Sequence, residues 1–166
     1  MKVSIITVCY NSAKTIRDTI ESVKSQTYKN IEYIIVDGKS IDNTLGIVNE
    51  YHETVDKVIC EKDSGIYDAM NKGITLSKGK WLYFLGTEDV FFNDTVLEYI
   101  FNDLSLEKET IVAGKIVYQG KKKPFIHSKN KMVKEVSWSN SMWIRNGLHH
   151  QGTLYKKALF KNKKND

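Results

Sequence analysis

Proline and cysteine are scarce in this sequence, and no long apolar run is present. Pro124 is the only proline among 166 residues, so no proline-rich linker divides the chain. Cys9 and Cys60 lie in apolar segments of strand type, where cysteine is usually a small core residue, and two cysteines do not suggest a disulfide framework. No stretch is long and apolar enough to span a bilayer, and the N-terminal run lacks the cleavage site of a signal peptide. These absences predict a protein of the reducing cytoplasm.

Two common nucleotide-binding motifs are also missing. No G-x-G-x-x-G follows the first apolar segment, which argues against a dinucleotide cofactor. No G-x-x-x-x-G-K-[ST] occurs anywhere, which excludes phosphate binding by a P-loop. A phosphorylated ligand would therefore need another kind of site.

The composition is that of an ordinary globular domain, with 41% apolar and 27% charged residues. We predict one domain over residues 1–166, in two halves at 1–90 and 91–166. The net charge of +5 is concentrated late, around residues 121–123 and 156–164. This basic segment is either a solvated face or a contact for an anionic membrane surface or a phosphorylated substrate.

Apolar strand-like segments alternate with helix-like segments through the first half. The predicted strands cover residues 3–8, 31–36, 55–60 and 81–85. Between them, apolar residues recur at helical spacing on three stripes: Ile16, Ile20 and Val23; Leu45, Val48 and Tyr51; Ile66, Met70 and Ile74. This alternation predicts an open, mostly parallel sheet with helices on both faces.

Polar residues indicate where these helices begin and end. Asn11 or Ser12 is a candidate cap of the first helix, and Ser40 or Asp42 of the second. Gly79, between two lysines, is the expected terminator of the third helix.

The second half carries weaker signals. Residues 94–101 predict an amphipathic helix with Val96, Leu97 and Ile100 inward. Residues 110–118 predict a strand that turns at 119–120 to pair with 124–126. Trp138 and Trp143 are candidates for stacking on a ligand, although at least one is expected in the core.

Polar side chains follow each predicted strand of the first half. In parallel sheets, ligands bind beyond the carboxyl ends of the strands. The residues expected there are Tyr10, Asn11, Asp37, Gly38, Asp63 and the segment 87–89. Glu88 and Asp89 suit a hard cation such as Mg²⁺, which takes one or two carboxylates plus substrate phosphates. They are also residues that solvated turns favour.

An aromatic and an acid complete the picture of a nucleoside diphosphate site. Tyr10 can stack on a base, and Asp37 can accept hydrogen bonds from a base or a ribose. Each also has a plain structural alternative, as a rim tyrosine and as a turn or capping residue.

Four segments, in order and at natural spacing, strongly resemble family 2 glycosyltransferases of the GT-A fold, in particular bacterial enzymes of the colanic-acid type. They are SIITVCYN, IEYIIVDGKSIDNT, EKDSGIYDAMNKGI and KGKWLYFLGTED. The resemblance implies a three-layer α/β/α fold and an inverting transfer of a sugar from a nucleotide sugar, UDP-sugar favoured, assisted by Mg²⁺ or Mn²⁺. The acceptor would be a glycan or lipid-linked saccharide in cell-surface polysaccharide synthesis. The protein would work in the cytoplasm or peripherally at the inner face of the membrane.

The resemblance also assigns roles to the two halves and to residues. Residues 1–90 would be the nucleotide-sugar-binding half, and residues 91–166 would be an incomplete acceptor-side half, where Trp138 and Trp143 could stack on sugar faces. Asp89 would be the main metal ligand, with Glu88 as a metal or ribose contact. Asp68 and Asn71 would face the donor sugar. The nucleotide-binding set would be Thr7, Tyr10, Asn11, Asp37, Asp63, Lys72 and Glu88.

Two departures from the family pattern bear on activity. The acidic element of the family is Asp-rich, whereas here it reads Thr87-Glu88-Asp89. Such enzymes also run beyond 166 residues, and their later segment commonly supplies the general base. The candidate bases within this chain are His149, His150 and, less favoured, Asp63, and His150 also has a structural reading, with its ring bonded to a backbone carbonyl. The alternative function is therefore a truncated or non-catalytic nucleotide-sugar-binding domain.

A third reading is a nucleic-acid-binding module, based on the basic second half with Trp138, Trp143 and Arg145. Such a module needs a basic stripe interleaved with exposed aromatics. The acidic crevice opposes it, so we expect no nucleic-acid partner.

Overall fold

Strands and helices alternate through the first half of the chain, as the apolar pattern predicts. The computed structural model describes residues 1–117, 133–134 and 150–160. The strands are β1 (Val3–Cys9), β2 (Ile31–Asp37), β3 (Lys57–Cys60), β4 (Trp81–Phe84), β5 (Ile111–Ala113), β6 (Ile116–Val117), β7 (Val133–Lys134) and β8 (Thr153–Lys156). The α-helices are α1 (Ile16–Lys24), α2 (Thr44–Glu50), α3 (Ile66–Leu76) and α4 (Val96–Glu98). A π-turn covers Tyr99–Asp103, and 3₁₀ turns cover His150–Gly152 and Lys157–Phe160.

Six strands form one sheet in the order β3-β2-β1-β4-β8-β5. The first four strands are parallel, and β8 pairs antiparallel with both β4 and β5. β6 and β7 make a separate antiparallel pair. In this order β2 and β3 lie on one side of β1, and β4 lies on the other side. The strand order therefore reverses between β3 and β4. Ligands bind at such a point in open α/β sheets.

Helices cover both faces of the sheet. On one face, α1, α2 and α4 bury a large core that includes Ile20, Val48 and Leu97. On the other face, α3 packs on a smaller cluster made of Ile6, Ile34, Val36, Ala69 and Phe84. β1, β2 and β4 are buried almost throughout because they lie between these layers. The predicted three-layer α/β/α architecture is confirmed.

The buried face of α3 differs from the predicted stripe. Ala69 and Gly73 are the buried residues, whereas Met70 and Ile74 are half-buried and Ile66 is 56% exposed. A Cβ placed on Gly73 would lie 2.4 Å from Ile6 Cγ2. The small residues therefore set how closely the helix approaches the sheet.

We expect Gly73→Ala to destabilise the fold even though alanine favours helices. The gain in helix propensity is at most about 1 kcal/mol. Overpacking a dense core costs about 1–3 kcal/mol, and Ile6 has no exposed surface through which to move away. Urea unfolding should show a net loss of stability for Gly73→Ala. Thr75→Ala, on the exposed side of the same helix, is the matched control and should be within about 0.5 kcal/mol of the wild type. A Gly73→Ala protein as stable as the control would contradict this packing.

Two predictions about the first half are wrong. Cys60 was expected in the core, but it is exposed because β3 is a short edge strand with alternating burial. Gly79 was expected to terminate α3, but the helix ends at Leu76. Gly79 is needed for a different reason, since a Cβ there would lie 2.5 Å from the backbone nitrogen of Ser4.

The residues predicted to cap α1 and α2 make hydrogen bonds to the loops and do not cap the helices. Neither α1 nor α2 has a side-chain hydrogen bond from its cap residue, Thr15 or Asn43. Asp42 instead accepts a hydrogen bond from the Ala13 backbone nitrogen at 3.1 Å, and one from Thr44 at 3.0 Å. It thus joins the loop after β1 to the start of α2.

The second half departs most from the prediction. The helix expected at 94–101 is one turn of α-helix followed by the π-turn, with Leu97 and Phe101 buried. The strand expected at 110–118 is divided into β5 and β6. β6 pairs with β7, and the predicted partner at 124–126 lies outside the described residues.

Among the described residues, no helix combines the length and the apolar character that a bilayer crossing requires.

Candidate active site

A cavity of about 280 Å³ opens beyond the carboxyl ends of β1 and β4. Its apolar floor comes from β1, α3 and β4, and its polar wall comes from the loop after β4 and the turn before β8. The lining residues are Ile6, Val8, Ile66, Met70, Phe84, Leu85, Gly86, Thr87, Glu88, Asp89, His150 and Gln151. The predicted acidic pair thus shares one cavity with the predicted base His150.

Asp89 is held in place by the loop that follows β4. Its backbone nitrogen donates to the Gly86 carbonyl at 3.1 Å, and Thr19 Oγ1 of α1 donates to the Asp89 carbonyl at 3.0 Å. Gly86 packs closely against this carboxylate, since a Cβ there would lie 2.6 Å from Asp89 Oδ2. Desolvation raises the pKa of the Asp89 carboxyl above its ordinary value, while the Gly86 hydrogen bond and the nearby His150 lower it. A partly desolvated carboxylate of this kind favours a bound cation.

His150 and Glu88 complete the polar wall. Glu88 is exposed at the mouth of the cavity. His150 begins the 3₁₀ turn before β8, and the hydroxyl of Tyr83 on β4 donates to the neighbouring Gln151 carbonyl. This bond ties the turn to the buried sheet.

The acidic pair fits a Mg²⁺ or Mn²⁺ ion that is shared with a phosphorylated ligand. Within the described ranges, no three His, Cys, Asp or Glu side chains are grouped so as to hold a metal by themselves. Mg²⁺ in particular keeps several waters and commonly takes only one or two carboxylates plus substrate phosphates. Glu88 and Asp89 would be the residues that hold the ion.

A second polar group lies on the β2 side, formed by Tyr10, Gly38 and Asp63. A Cβ on Gly38 would lie 2.8 Å from Asp63 Oδ2 and 3.6 Å from Tyr10 Cβ, so a side chain there would displace the Asp63 carboxylate. The Tyr10 side chain is 61% exposed. Asp63 Oδ1 accepts a hydrogen bond from the Gly65 nitrogen at 3.0 Å, which leaves Oδ2 directed at Gly38. Asp63 does not line the cavity that contains Asp89.

Asp37 lies beneath this group and has no exposed surface. Its carboxylate accepts hydrogen bonds from the Ser40 nitrogen at 2.8 Å and the Ser40 hydroxyl at 2.5 Å. The thiols of Cys60 and Cys9 donate to it at 3.2 and 3.5 Å. In this structure Asp37 therefore shapes the loop after β2, and its carboxylate is engaged in these internal hydrogen bonds.

Thr7 and Asn11 also make internal contacts. Thr7 is fully buried on β1, with its hydroxyl 3.1 Å from that of Tyr33. Asn11 has a positive φ of 51°, and its Oδ1 accepts a hydrogen bond from the Ile41 nitrogen at 2.9 Å. Asn11 thus joins the loops after β1 and β2, and Thr7 is not brought to the crevice.

The residues assigned to the donor sugar lie on α3. Asp68 accepts a hydrogen bond from the Ser64 nitrogen at 3.0 Å and lies 3.4 Å from Lys72 Nζ. Asn71 lines a second cavity of about 290 Å³, which shares Met70, Phe84 and His150 with the first.

Sequence reasoning missed the parts that Ser40 and Thr19 play in the site. Ser40 was considered only as a helix cap, and its contact with Asp37 was locally visible as an Asp-x-x-Ser spacing. The contact between Thr19 and the loop of Asp89 spans 70 positions, for which the sequence carries no local signal. His149, Trp138, Trp143 and Arg145 lie outside the described residues.

Comparison with known proteins assigns the family. The model of "Glycosyl transferase family 2" matches residues 4–163. The chain belongs to glycosyltransferase family 2. Among curated relatives, it is similar to the Escherichia coli UDP-Glc:alpha-D-GlcNAc-diphosphoundecaprenol beta-1,3-glucosyltransferase WfaP, with 33% identity over 68% of this chain and 49% of WfaP. It is also similar to a PGL/p-HBAD biosynthesis glycosyltransferase of Mycobacterium bovis, with 29% identity over 95% of this chain and 60% of that protein. The chain thus spans about half the length of these relatives.

Two solved structures share the fold of this chain. Staphylococcus aureus TarS (residues 1–349) matches with a TM-score of 0.75 and 20% identity, over 97% of this chain and 48% of that one. The mannosyltransferase PcManGT of Pyrobaculum calidifontis, solved with GDP-Man and Mn²⁺, matches with a TM-score of 0.63 and 16% identity, over 95% and 45%. The predicted GT-A fold of this family 2 chain is confirmed.

Proposed function

We propose that this chain carries the donor site of an inverting glycosyltransferase. It would bind a nucleotide sugar and transfer the sugar to a hydroxyl of a glycan or a lipid-linked saccharide. The observation that carries this proposal is the cavity that brings Glu88, Asp89 and His150 together at the carboxyl end of β4. UDP-sugars are the favoured donors because the relative with 33% identity is named as a UDP-Glc-dependent enzyme.

The two polar groups of the site are spaced for the two ends of a nucleoside diphosphate. β2 and β4 flank β1, so their carboxyl ends are two strand spacings, or about 10 Å, apart. Tyr10 would stack on the base and Asp63 Oδ2 would accept a hydrogen bond from a base N–H or a ribose hydroxyl. Glu88 and Asp89 would lie beside the diphosphate. Asp68 and Asn71 remain our candidates for the donor sugar.

Each residue of the cavity has a part in the proposed transfer. A bound Mg²⁺ or Mn²⁺ would neutralise the charge that develops on the leaving diphosphate. The apolar floor of Ile6, Val8 and Phe84 would exclude water from the reacting centre. His150 would take the proton of the acceptor hydroxyl, and attack on the face opposite the leaving group would invert the anomeric centre. His149, Asp63 or a residue outside this chain are the other candidate bases.

Calorimetric titration of UDP, GDP and dTDP, each with and without Mn²⁺, tests the donor site directly. We expect one nucleotide, UDP by preference, to bind only when Mn²⁺ is present. Binding of none of the three in the presence of Mn²⁺ would contradict the proposal. A transfer assay with the matching nucleotide sugar would then separate an enzyme from a domain that binds donor without transferring it.

A further inference from the structure

Lys72 of α3 makes hydrogen bonds and ion pairs to the loop between β3 and α3. Lys72 Nζ lies 3.0 Å from Glu61 Oε1, and donates to the Lys62 carbonyl at 3.0 Å. It also lies 3.4 Å from Asp68 Oδ2, one turn earlier on α3. An ammonium group has three N–H donors, and these three acceptors match them in number. We call Glu61, Asp68 and Lys72 the loop clasp.

The loop clasp fixes the part of the loop that carries Asp63. Asp68 Oδ2, which faces Lys72, accepts the hydrogen bond from the Ser64 nitrogen. The next residue, Gly65, has a φ of 124° and donates its N–H to Asp63 Oδ1. One carboxylate oxygen of Asp63 is thereby held, and the other is left directed at Gly38.

We infer that Lys72 is a positioning residue that holds Asp63 for the nucleoside, and that it is not a ligand of the diphosphate. The inference rests on the proposed donor site and assigns Lys72 a role different from the one that the family resemblance implies. Its side chain is 22% exposed, and its hydrogen bonds are already made without a ligand. To reach a phosphate, Lys72 would have to break them and release the loop.

The two roles differ in which part of the ligand they affect. A residue that positions Asp63 contributes equally to a nucleoside and to its diphosphate. A residue that binds phosphate contributes only to the diphosphate. Uridine and UDP therefore distinguish them, or the corresponding pair if the chain prefers another base.

The experiment compares the wild type with Lys72→Met by calorimetric titration of uridine and of UDP with Mn²⁺. Methionine keeps most of the length and removes the ammonium. We expect both affinities to fall by a similar factor of about ten, the size typical of coupling between neighbouring residues. Lys62→Met removes the same charge from an exposed side chain of the same loop and should change neither affinity by more than about twofold. A loss for UDP with uridine unchanged would overturn the inference and make Lys72 a phosphate ligand.

A double-mutant cycle tests the link to Asp63. If the loop clasp acts through Asp63, then Asp63→Asn should weaken uridine binding by a smaller factor in the Lys72→Met protein than in the wild type. Equal factors in the two backgrounds would overturn the inference. Lys72→Arg, which keeps the charge and reaches the same carboxylates, should restore at least part of the lost affinity for both ligands.

A wrong donor-site proposal can be distinguished from a wrong role for Lys72. A wild type that binds neither UDP nor uridine contradicts the proposed function. Amide hydrogen exchange at Ser64 and Gly65 would still report on the loop clasp, because the Ser64 N–H donates to Asp68 of the clasp and the adjacent Gly65 N–H donates to Asp63. Exchange that is as slow in Lys72→Met as in the wild type would show that the loop does not depend on Lys72 and would overturn the inference by itself.

Discussion

Asp89→Asn should lower the affinity for the nucleoside diphosphate in Mn²⁺ by at least about 100-fold, since even partners that only support a metal ligand contribute 10–100-fold. Asparagine has the same shape, so the loop after β4 and its bond to Gly86 are kept. What is lost is the one partly desolvated carboxylate of the cavity wall. Glu88 alone would hold the ion more weakly, because its side chain is exposed and its charge is screened by solvent.

The matched control is Asp94→Asn, which removes the same charge from an exposed residue five positions further along the chain. It should bind nucleotide and Mn²⁺ like the wild type. Titration of both variants, with and without Mn²⁺, gives the comparison. If Asp89→Asn retained metal-dependent binding within a few-fold of the control, the cation would be held elsewhere and the assignment of this wall would be wrong.

Glu32→Gln should cause the largest loss of stability among single charge changes in the described part of the chain. Glu32 is 3% exposed, and its carboxylate accepts hydrogen bonds from Lys57 at 2.7 Å, Ser4 at 2.5 Å and the Lys78 nitrogen at 2.6 Å. Burial alone would raise its pKa, but these donors lower the pKa to about 2 from an ordinary value of 4.5. The difference corresponds to about 3 kcal/mol of stability at pH 7.

The sign of the pH dependence follows from this lowered pKa. Stability that Glu32 contributes is fully present above about pH 4.5, where the carboxylate is ionised in the unfolded chain as well. It is lost as the pH falls towards 2, because the unfolded chain takes up the proton first. Urea unfolding should therefore show Glu32→Gln about 2–3 kcal/mol less stable than the wild type at pH 7, and close to it near pH 2. The exposed Glu53→Gln should match the wild type throughout, and a difference that does not change with pH would contradict this account.

Much of the architecture could be predicted from periodicity because it depends on local pattern. β1, β2 and β4 are continuous apolar runs, and α1 buries the predicted Ile16, Ile20 and Val23. The errors arise where contacts between residues far apart in the sequence determine the structure. Gly73 is buried because Ile6 meets it, and Gly79 is glycine because the backbone at Ser4 passes within 2.5 Å of its Cβ position. Neither contact can be read from the residues around the glycine.

In the candidate site, too, local features could be predicted from the sequence and long-range contacts could not. The placement of Glu88 and Asp89 at the end of a buried strand followed from sequence, since ligand sites in parallel sheets lie at that edge. The burial of Asp37 did not, because it depends on thiols supplied by both neighbouring strands. The approach of Asp63 to Gly38 likewise depends on how two loops cross.

The antiparallel insertion of β8 beside β4 has a consequence for how the site is assembled. Its two walls differ in contact order: the acidic loop directly follows β4, whereas the hydrogen bond that anchors the turn of His150 joins Tyr83 to a residue 68 positions away. Closing a loop of that length carries an entropic cost that local strand–helix units do not meet. The acidic loop can therefore form early from neighbouring segments, and the turn of His150 joins it late. Any ligand that bridges both walls would contribute its binding free energy to that final step, so that occupancy and completion of the fold are thermodynamically linked.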